Sequence, residues 1–191
     1  SMEFKDDLKK EFNVNAICIY NPLNIKEILK NSKKRSIKIF SSNKKLKIIN
    51  IGRFAEQKDQ FTLLKSFTYL KGIIDFEACI VGEGKLKNKL QEYIEKNDLK
   101  KKVRILGWTE NPFPLIKQAD LFILSSKFEG LPNVLLESLV LKKFIISSNC
   151  RTGPKEILLN GKGGLLFKVG DYIELAEKIK YYYKNKNKCH S

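Results

Sequence analysis

Histidine is almost absent from this sequence. The 191 residues contain one histidine, His190, which is one residue from the C-terminus. A lone histidine at the end of a chain argues against acid–base catalysis by an imidazole, which is the commonest group in that role. Arginine is scarce as well, with 4 arginines against 33 lysines, so the net charge of +16 is almost entirely due to lysine.

The cysteines form no metal or redox motif, and the apolar runs form no membrane span or secretory signal. Cys18, Cys79, Cys150 and Cys189 are too far apart for a C-x-x-C metal or redox pair. Cys18 and Cys79 lie in apolar runs and are interpreted as small core residues, which fits a reducing cytoplasm. No apolar run approaches the ~20 residues of a membrane span, and the first twelve residues lack the apolar stretch of a secretory signal. We therefore expect a cytoplasmic protein.

The positive charge has three interpretations. It is typical of proteins that bind nucleic acid, an anionic membrane surface or phosphorylated ligands. Because lysines are spread along the chain, a lysine-biased composition explains it best, and attraction to the inner face of the cytoplasmic membrane is the alternative. Neither an arginine-rich patch nor a recognisable aromatic or zinc-finger motif supports nucleic acid.

Short apolar runs alternate with helical patterns from residue 46 onward. This alternation predicts βαβ units and therefore an α/β fold with an open, doubly wound, Rossmann-like parallel sheet. The expected strands are 46–51, 76–81, 103–106, 121–124, 144–147 and 164–167. The expected helices are 59–70, 84–96, 112–118, 132–142, 153–158 and about 171–187.

Residues 1–45 follow a different pattern. A charged helix at about 3–11 and a strand at 16–20 are expected there, followed by a segment rich in Lys, Asn and Ser. One helix and one strand are too little for a core, so residues 1–45 are interpreted as the end of another domain plus a linker. The division places one domain at 46–191.

Charged residues follow two strands whose ends are expected to meet. In the common strand order 3-2-1-4-5-6, ligands bind where the order reverses, between the first and fourth strands. Arg53 and Lys58 follow the first strand, and Glu129 follows the fourth. A helix is expected to begin at Pro132, a residue suited to the first helical position. That leaves Leu131 as an N-cap with no side-chain acceptor.

A helix start with open N–H groups is an anion site. Two cations opposite it suit a diphosphate, whereas the carboxylates of Glu129 and Glu137 suit hydroxyl groups. Together they predict a ligand with a diphosphate between two hydroxyl-bearing rings, which describes a nucleotide sugar.

Each of these residues also has a simpler interpretation. Arg53 and Lys58 are also explained as surface charges, Glu129 as a cap on its own helix and Glu137 as a solvated helix residue. The sequence GEG at 82–84 is interpreted as a tight turn rather than a dinucleotide motif. The sequence NCRTGP at 149–154 is expected to form a strand-to-helix loop beside the same crevice, with ligand contact left open.

The motifs NIGRFAEQKD, CIVGEGKLKNKL, VRILGW, ADLFILSSKFEGLPNVLLES and GPKEILLNGKGGLLFKVGD occur in this order. They resemble the C-terminal, donor-binding domain of retaining glycosyltransferases of family four, group 1, whose two Rossmann-like domains form the GT-B arrangement. The resemblance covers about residues 46–180. Its most specific signal is the pair of glutamates eight residues apart. The acceptor-binding N-terminal domain of that family has no counterpart here apart from a helix and a strand in residues 3–20.

The resemblance implies a role for each matching position. It assigns Arg53 and Lys58 to the donor diphosphate, Glu129 to hydroxyls of the transferred sugar and Glu137 to the ribose. It places Gly107 beside the base and implies phosphate contacts from the backbone near four residues of the uncapped helix start: Gly130, Leu131, Asn133 and Val134.

The reaction implied by the resemblance is sugar transfer from a nucleotide diphosphate, with UDP expected, to an acceptor hydroxyl with retention of configuration. It would take place in bacterial surface-glycan synthesis, and the resemblance also implies a lipid-linked acceptor at the membrane surface. No metal or other cofactor is expected, because the chain has no Asp-x-Asp sequence. The alternatives are a non-catalytic nucleotide or sugar-phosphate binding module, a hydrolase using Glu129 and Glu137, and an RNA-binding domain.

Overall fold

The computed structural model describes residues 1–186, and Cys189 and His190 lie outside the described residues. Six parallel strands form one sheet in the order β3-β2-β1-β4-β5-β6, so the predicted doubly wound α/β fold and its reversal between β1 and β4 are confirmed. The strands are β1 (Leu46–Ile51), β2 (Phe76–Val81), β3 (Val103–Leu106), β4 (Leu121–Leu124), β5 (Phe144–Ser148) and β6 (Leu165–Phe167).

Eight α-helices accompany the strands in the described part of the chain. They are α1 (Met2–Phe12), α2 (Ile25–Asn31), α3 (Gln60–Leu70), α4 (Lys87–Lys96), α5 (Phe113–Gln118), α6 (Asn133–Val140), α7 (Pro154–Ile157) and α8 (Tyr172–Asn185). No helix among residues 1–186 combines the length and the apolar character needed to cross a membrane.

The strand sequences are nearly continuous apolar runs because both faces of the sheet are covered. Every residue of β2 and β4 is buried. One core lies between the sheet and α3, α4 and α8, and contains Ile48, Phe67 and Leu175. The other lies on the opposite face against α2, α5 and α6, and contains Ile49 and Leu135. The two cores fix the orientation of the strand ends that carry the site.

Residues 14–20 correct one prediction. The expected strand at 16–20 is absent, although the segment is not helical either. Ile17 and Ile19 in this segment are 87% and 85% exposed. An alternating apolar pattern becomes a strand only when a neighbouring strand completes its hydrogen bonds, and no described residue of the sheet pairs with this segment.

Residues 25–45 are more ordered than a linker composition indicated. Helix α2 was not predicted, and it packs Ile28 into the core beside Ile39 and Phe40. The Ser41 N–H donates to the Glu77 Oε2 atom at 2.6 Å, which fixes the segment against β2. The burial of these three apolar side chains stabilises the segment against the sheet. The division at residue 45 into two domains stays a prediction.

Candidate functional site

A cavity of about 800 Å³ lies beyond the carboxyl ends of β1, β2 and β3. Its lining combines the strand ends with α6: Ile51, Gly52, Arg53, Val81, Gly82, Glu83, Gly84, Trp108, Thr109, Glu110, Pro112, Phe113 and Glu137. The structure therefore brings Arg53 and Glu137, which are 84 positions apart in the chain, to one crevice. This is the position at which doubly wound sheets bind ligands.

The loop that carries Arg53 is held from two sides. On one side, the Phe54 N–H donates to the Glu83 carbonyl at 2.7 Å, and the Phe54 ring is fully buried. On the other, the Gln60 Nε2 atom donates to the Arg53 carbonyl at 3.1 Å. The guanidinium of Arg53 makes no ion pair with any of residues 1–186. A fixed backbone thus presents an unpaired cation at the cavity.

Glycine is required where the β2 loop crosses the Arg53 loop. Gly82 has φ of 152°, and a Cβ built on it would lie 2.1 Å from the Gly52 carbonyl oxygen. Gly84 has the same relation to the Phe54 carbonyl oxygen, at 2.4 Å. The sequence GEG therefore allows two backbones to touch at the wall of the cavity, which goes beyond the tight turn that was predicted.

Lys58 and Glu129 form an ion pair beside the cavity. The Lys58 Nζ and Glu129 Oε1 atoms are 2.6 Å apart, and their side chains are 19% and 7% exposed. The Ser126 hydroxyl donates to the same carboxylate oxygen at 2.6 Å. The Lys58 side chain runs along Gly52, which lines the cavity. Its Cδ atom would lie 3.4 Å from a Cβ built on Gly52. Sequence reasoning had placed these two side chains on different parts of a ligand and did not predict the pair.

The loops that carry the two partners are also bonded to each other. The Ser125 hydroxyl donates to the Lys58 carbonyl at 2.9 Å, and the Lys127 N–H donates to the Gln57 carbonyl at 2.8 Å. The Gln57 Nε2 atom donates to the Phe128 carbonyl at 3.0 Å. The ends of β1 and β4 therefore form one hydrogen-bonded unit.

Helix α6 starts without a side-chain cap, as predicted, but one residue later than expected. Its first residue is Asn133, and Pro132 occupies the N-cap position with φ of −73° and ψ of 94°. The carboxylate of Glu129 is bound to Lys58 and Ser126, so it does not cap this helix. The Asn133 side chain accepts a hydrogen bond from Asn21 Nδ2 at 3.2 Å. The open N–H groups of the first turn give this end of the helix a positive dipole.

The loop at 149–154 supports this helix start. The Thr152 hydroxyl donates to the Glu129 carbonyl. Gly153 has φ of 92°, and a Cβ on it would lie 2.3 Å from the Gly130 carbonyl oxygen and 2.7 Å from Pro132 Cδ. Helix α7 begins at Pro154, one residue after the start expected at 153. The loop thus packs against Gly130 and Pro132, and Leu131 lies half-buried between them.

Burial changes the acidity of Glu137. Desolvation raises the pKa of its carboxyl above the usual glutamate value, because the charged form loses hydration. Like Arg53, Glu137 makes no ion pair within residues 1–186. Val134, at the start of the same helix, is half-buried and accepts the Ser138 hydroxyl at its carbonyl. An unpaired carboxylate at a cavity wall is available to accept hydrogen bonds from ligand hydroxyls.

Sequence reasoning missed Trp108 and Glu83. Trp108 is the single tryptophan of the chain, and it is 67% exposed at the cavity, directly after Gly107. A Cβ built on Gly107 would lie 3.8 Å from the Glu83 Oε1 atom, so this loop borders the GEG loop. A large aromatic residue directly after a predicted strand, at the edge of the sheet where ligands bind, was a usable signal.

Comparison with known proteins identifies the class. The family described as glycosyl transferases group 1 matches residues 25–191, and the chain belongs to this family. An uncharacterized glycosyltransferase of Methanocaldococcus jannaschii is 41% identical over 139 residues, covering 72% of this chain and 32% of that protein. The resemblance inferred from the motifs is confirmed.

One further relative and one solved structure are also similar to this chain. A Campylobacter jejuni N-acetylgalactosamine-N,N'-diacetylbacillosaminyl-diphospho-undecaprenol 4-alpha-N-acetylgalactosaminyltransferase is 31% identical over 150 residues, covering 74% of this chain and 40% of that protein. The structure of an S. aureus TarM mutant in complex with fondaparinux, alpha-GlcNAc-glycerol and UDP has a TM-score of 0.81 at 21% identity. It covers 100% of this chain and 37% of that one, and it shows the shared fold. The chain thus spans about a third to two fifths of the length of these proteins.

Proposed function

We propose that this chain is the donor-binding part of a retaining glycosyltransferase that transfers a sugar from a UDP-sugar to an acceptor hydroxyl. The observation that carries the proposal is the shared crevice. An unpaired Arg53 and an unpaired Glu137 line one cavity, with the Lys58–Glu129 pair beside it. Membership of the group 1 family makes nucleotide sugars the ligand class to test first.

In this proposal the cations bind the diphosphate. Negative charge builds on the leaving diphosphate during transfer, and groups already fixed around it stabilise that charge. Arg53 and Lys58 are the side chains in this role, together with the backbone near Gly130, Leu131, Asn133 and Val134. Pro132 has no N–H to contribute. Because these groups supply the positive charge, the proposed reaction requires no metal ion, and a chelator should leave nucleotide affinity unchanged.

The two glutamates contact different rings of the donor. Glu137 accepts hydrogen bonds from the ribose hydroxyls, and Glu129 orients the transferred sugar. Gly107 lies beside the base, where the adjacent Trp108 ring gives the base a face on which to stack. The acceptor hydroxyl attacks from the side on which the diphosphate leaves, assisted by that phosphate. Glu129 is therefore an orienting group and not a nucleophile, which agrees with its engagement by Lys58 and Ser126.

The proposed pathway is surface-glycan assembly on a lipid-linked acceptor. Support comes from the undecaprenol diphosphate in the name of the Campylobacter relative. We place the protein in the cytoplasm, associated peripherally with the inner membrane face through its lysines. Each well-placed lysine contributes about 1 kcal/mol near an anionic surface. Binding to vesicles containing phosphatidylglycerol should be weak and should disappear at high salt, and tight binding that survives high salt would contradict this placement.

Intrinsic fluorescence gives the sharpest test of the proposed function. Trp108 is the one tryptophan and lines the cavity, so titration with UDP and UDP-sugars should change its emission to saturation. The same ligands should raise the melting temperature, because they bind the folded state. Arg53→Ala should weaken both ligands about tenfold to a hundredfold, as expected for loss of a charge-assisted hydrogen bond. Arg35→Ala, which removes an exposed arginine outside the cavity, is the matched control.

The alternative is a non-catalytic nucleotide or sugar-phosphate binding module. We expect the 191-residue chain to bind donor without transferring sugar, because acceptor contacts and closure over the crevice require the domain that GT-B enzymes place opposite. Transfer assays on a longer parent protein separate an enzyme from a binding module. Turnover by residues 1–191 alone would show that the chain does not depend on a second domain.

A further inference from the structure

Charge is distributed unevenly between the two ends of the sheet. Because all six strands are parallel, the loops that precede them lie at one end and the loops that follow them lie at the other. The preceding loops contain 13 lysine and arginine residues against 3 aspartates, and they are residues 32–45, 71–75, 97–102, 119–120, 141–143 and 158–164. The following loops contain 6 residues of each sign, and they are residues 52–59, 82–86, 107–112, 125–132, 149–153 and 168–171. We call the end formed by the preceding loops the basic end.

A lysine-biased composition does not explain this distribution. Such a bias would place an excess of lysines in both sets of loops, whereas the loops beside the crevice are balanced in charge. The lysines are spread along the sequence because the loops of the basic end recur between helices and strands, but in the folded chain these loops share one end. Like charges placed together repel one another, so this concentration indicates a surface that binds an anionic partner.

The densest part of the basic end is the segment between α2 and β1. Lys33, Lys34, Arg35 and Lys38 are exposed, and none of them makes an ion pair within residues 1–186. The segment is fixed to the last residue of α5, because the Gln118 side chain donates to the carbonyl of residue 37 at 3.0 Å and accepts the N–H of residue 39 at 3.1 Å. A fixed stretch of backbone therefore presents four free cations at this end.

The chemistry of the basic end favours lipid over nucleic acid. Single-stranded nucleic acid is bound by exposed aromatic rings on which bases stack, together with arginine. The loops of the basic end contain a single arginine, Arg35, and their single aromatic residue, Phe40, is buried. Their exposed apolar side chains are instead aliphatic, since Ile37 is 60% exposed and Ile73 is 50% exposed. Clustered lysines with exposed apolar side chains between them are typical of surfaces that bind anionic membranes.

We infer that the basic end is the face through which this protein lies on anionic lipid headgroups, with the crevice directed away from the membrane. The inference rests on the proposed peripheral placement and gives that placement a surface and an orientation. A domain that closes over the crevice covers the carboxyl ends of the strands. The amino ends lie at the opposite side of the sheet, so such a domain leaves the basic end free.

This orientation restricts the acceptor. Strand β1 has six residues, which span about 20 Å at ~3.3 Å per residue, so the crevice lies at least about that far from the lipid surface. A lipid-linked acceptor then reaches the crevice with the end of its glycan that is far from the lipid. The acceptor class is therefore an oligosaccharide carried on lipid, extended at its distal end.

The first test compares two variants that lose the same charge. Both are measured for binding to vesicles of phosphatidylcholine, with and without phosphatidylglycerol. The basic-end variant carries Lys33→Gln, Lys34→Gln, Arg35→Gln and Lys38→Gln. The control carries four substitutions of exposed, unpaired lysines on α1 and at the start of α4, which follows a loop of the crevice: Lys9→Gln, Lys10→Gln, Lys87→Gln and Lys89→Gln.

Binding of the unsubstituted chain should require phosphatidylglycerol. Each well-placed cation contributes roughly fivefold to membrane affinity, so the basic-end variant should bind at least tenfold more weakly. The control should change by less than about threefold, because its lysines do not face the lipid. All eight residues are exposed, so both variants should remain folded, and their response to UDP at Trp108 reports whether they do.

The second test measures orientation through the single tryptophan. Trp108 lies at the crevice, so vesicles with brominated acyl chains should leave its emission unchanged when the protein binds. Ile37→Trp combined with Trp108→Phe moves the only tryptophan to the basic end, and its emission should then be quenched by the same vesicles.

Four outcomes would overturn the inference: no binding to anionic vesicles, equal weakening in the two variants, quenching of Trp108 in the bound protein, or binding of single-stranded polyuridine in place of vesicles. Equal weakening would mean that overall charge alone is responsible, and polyuridine binding would make the partner a nucleic acid. A UDP titration separates this inference from the proposed function. A UDP response without vesicle binding removes only the membrane surface, whereas vesicle binding without a UDP response removes the proposed nucleotide site.

Discussion

The ion pair between Lys58 and Glu129 makes opposite predictions for its two members. Glu129→Ala removes a negative charge beside the proposed diphosphate and releases the Lys58 amine from its 2.6 Å contact. Lys58→Ala removes a proposed phosphate donor and leaves the Glu129 carboxylate with the Ser126 hydroxyl as its remaining side-chain partner among residues 1–186. The two substitutions should therefore change nucleotide affinity in different directions.

The expected change in nucleotide affinity follows from the loss of one charge-assisted hydrogen bond. Such a bond contributes about 1.5–3 kcal/mol, which corresponds to about tenfold to a hundredfold in affinity. Lys58→Ala should weaken UDP and UDP-sugar by this factor. Glu129→Ala should leave UDP affinity unchanged or improve it, and it should abolish any preference for the sugar-bearing ligand. In a full-length parent, Glu129→Ala should lower turnover more than donor affinity, because a misoriented sugar harms the transition state most.

Lys58→Ala should also lower the stability of the folded chain. Both side chains are largely buried, so Lys58→Ala leaves a carboxylate short of one partner at a cost of about 1–3 kcal/mol. For a chain of this size, each kcal/mol lowers the melting temperature by about 2–4 °C. Lys127→Ala is the matched control, because Lys127 makes a 3.7 Å pair with Glu56 between exposed side chains, where such pairs contribute about 0–1 kcal/mol.

Titration calorimetry of Arg53→Ala, Lys58→Ala, Glu129→Ala and Lys127→Ala with UDP and a UDP-sugar measures the affinities, and thermal unfolding measures the stabilities. The decisive comparison is Glu129→Ala against Arg53→Ala with bare UDP. If the two weaken UDP equally, the carboxylate serves to hold the loops of β1 and β4 in place, and its assignment to the sugar is wrong.

Three further predictions concern the cavity walls. Glu137→Gln should weaken UDP binding, yet raise the stability of the fold at neutral pH. Burial raises the pKa of the Glu137 carboxyl, so the wild-type protein loses stability as pH rises through the pKa of the unfolded state and then that of the folded state. The gain from the substitution should vanish in acid, where the carboxyl is protonated in both states. Urea unfolding across pH measures this, and an equal gain at acid pH would contradict it. Trp108→Ala should lower UDP affinity by roughly tenfold if the ring stacks on the base, a loss of ~1–3 kcal/mol, and calorimetry with UDP against free diphosphate should show no loss for diphosphate. Gly82→Ala should destabilise the fold strongly because its Cβ meets the Gly52 carbonyl at 2.1 Å, whereas Gly72→Ala, with open space around it, should not, and similar melting temperatures for the two would refute the argument.

The sequence predicted the sheet because its strands are short apolar runs separated by helices of crossover length. Right-handed crossovers leave few strand orders, and the observed order places β1 beside β4. Once that order is known, Arg53 and Glu137 belong to the same edge of the sheet without any knowledge of side-chain conformations. This part of the candidate site depends on topology alone, which explains why it was predictable.

The remaining features depend on contacts that periodicity does not encode. The pairing of Lys58 with Glu129 joins residues 71 positions apart, and it is decided by the path of two loops. The segment at 16–20 has the alternation of a strand, but the described residues provide no neighbour for it. Helix α2 was hidden by a lysine-rich composition, although Asn24 caps it through the Glu27 N–H at 3.1 Å, a recognisable start signal.

The bonds between the loops of β1, β2 and β4 have a kinetic consequence. Phe54 is fixed to the Glu83 carbonyl, and Gln57 is fixed to Phe128 and Lys127, so the loops are joined before any ligand arrives. A pre-organised site loses little conformational entropy on binding, and association then waits only for encounter and orientation. Differences in nucleotide affinity among variants of this crevice should consequently appear in the dissociation rate.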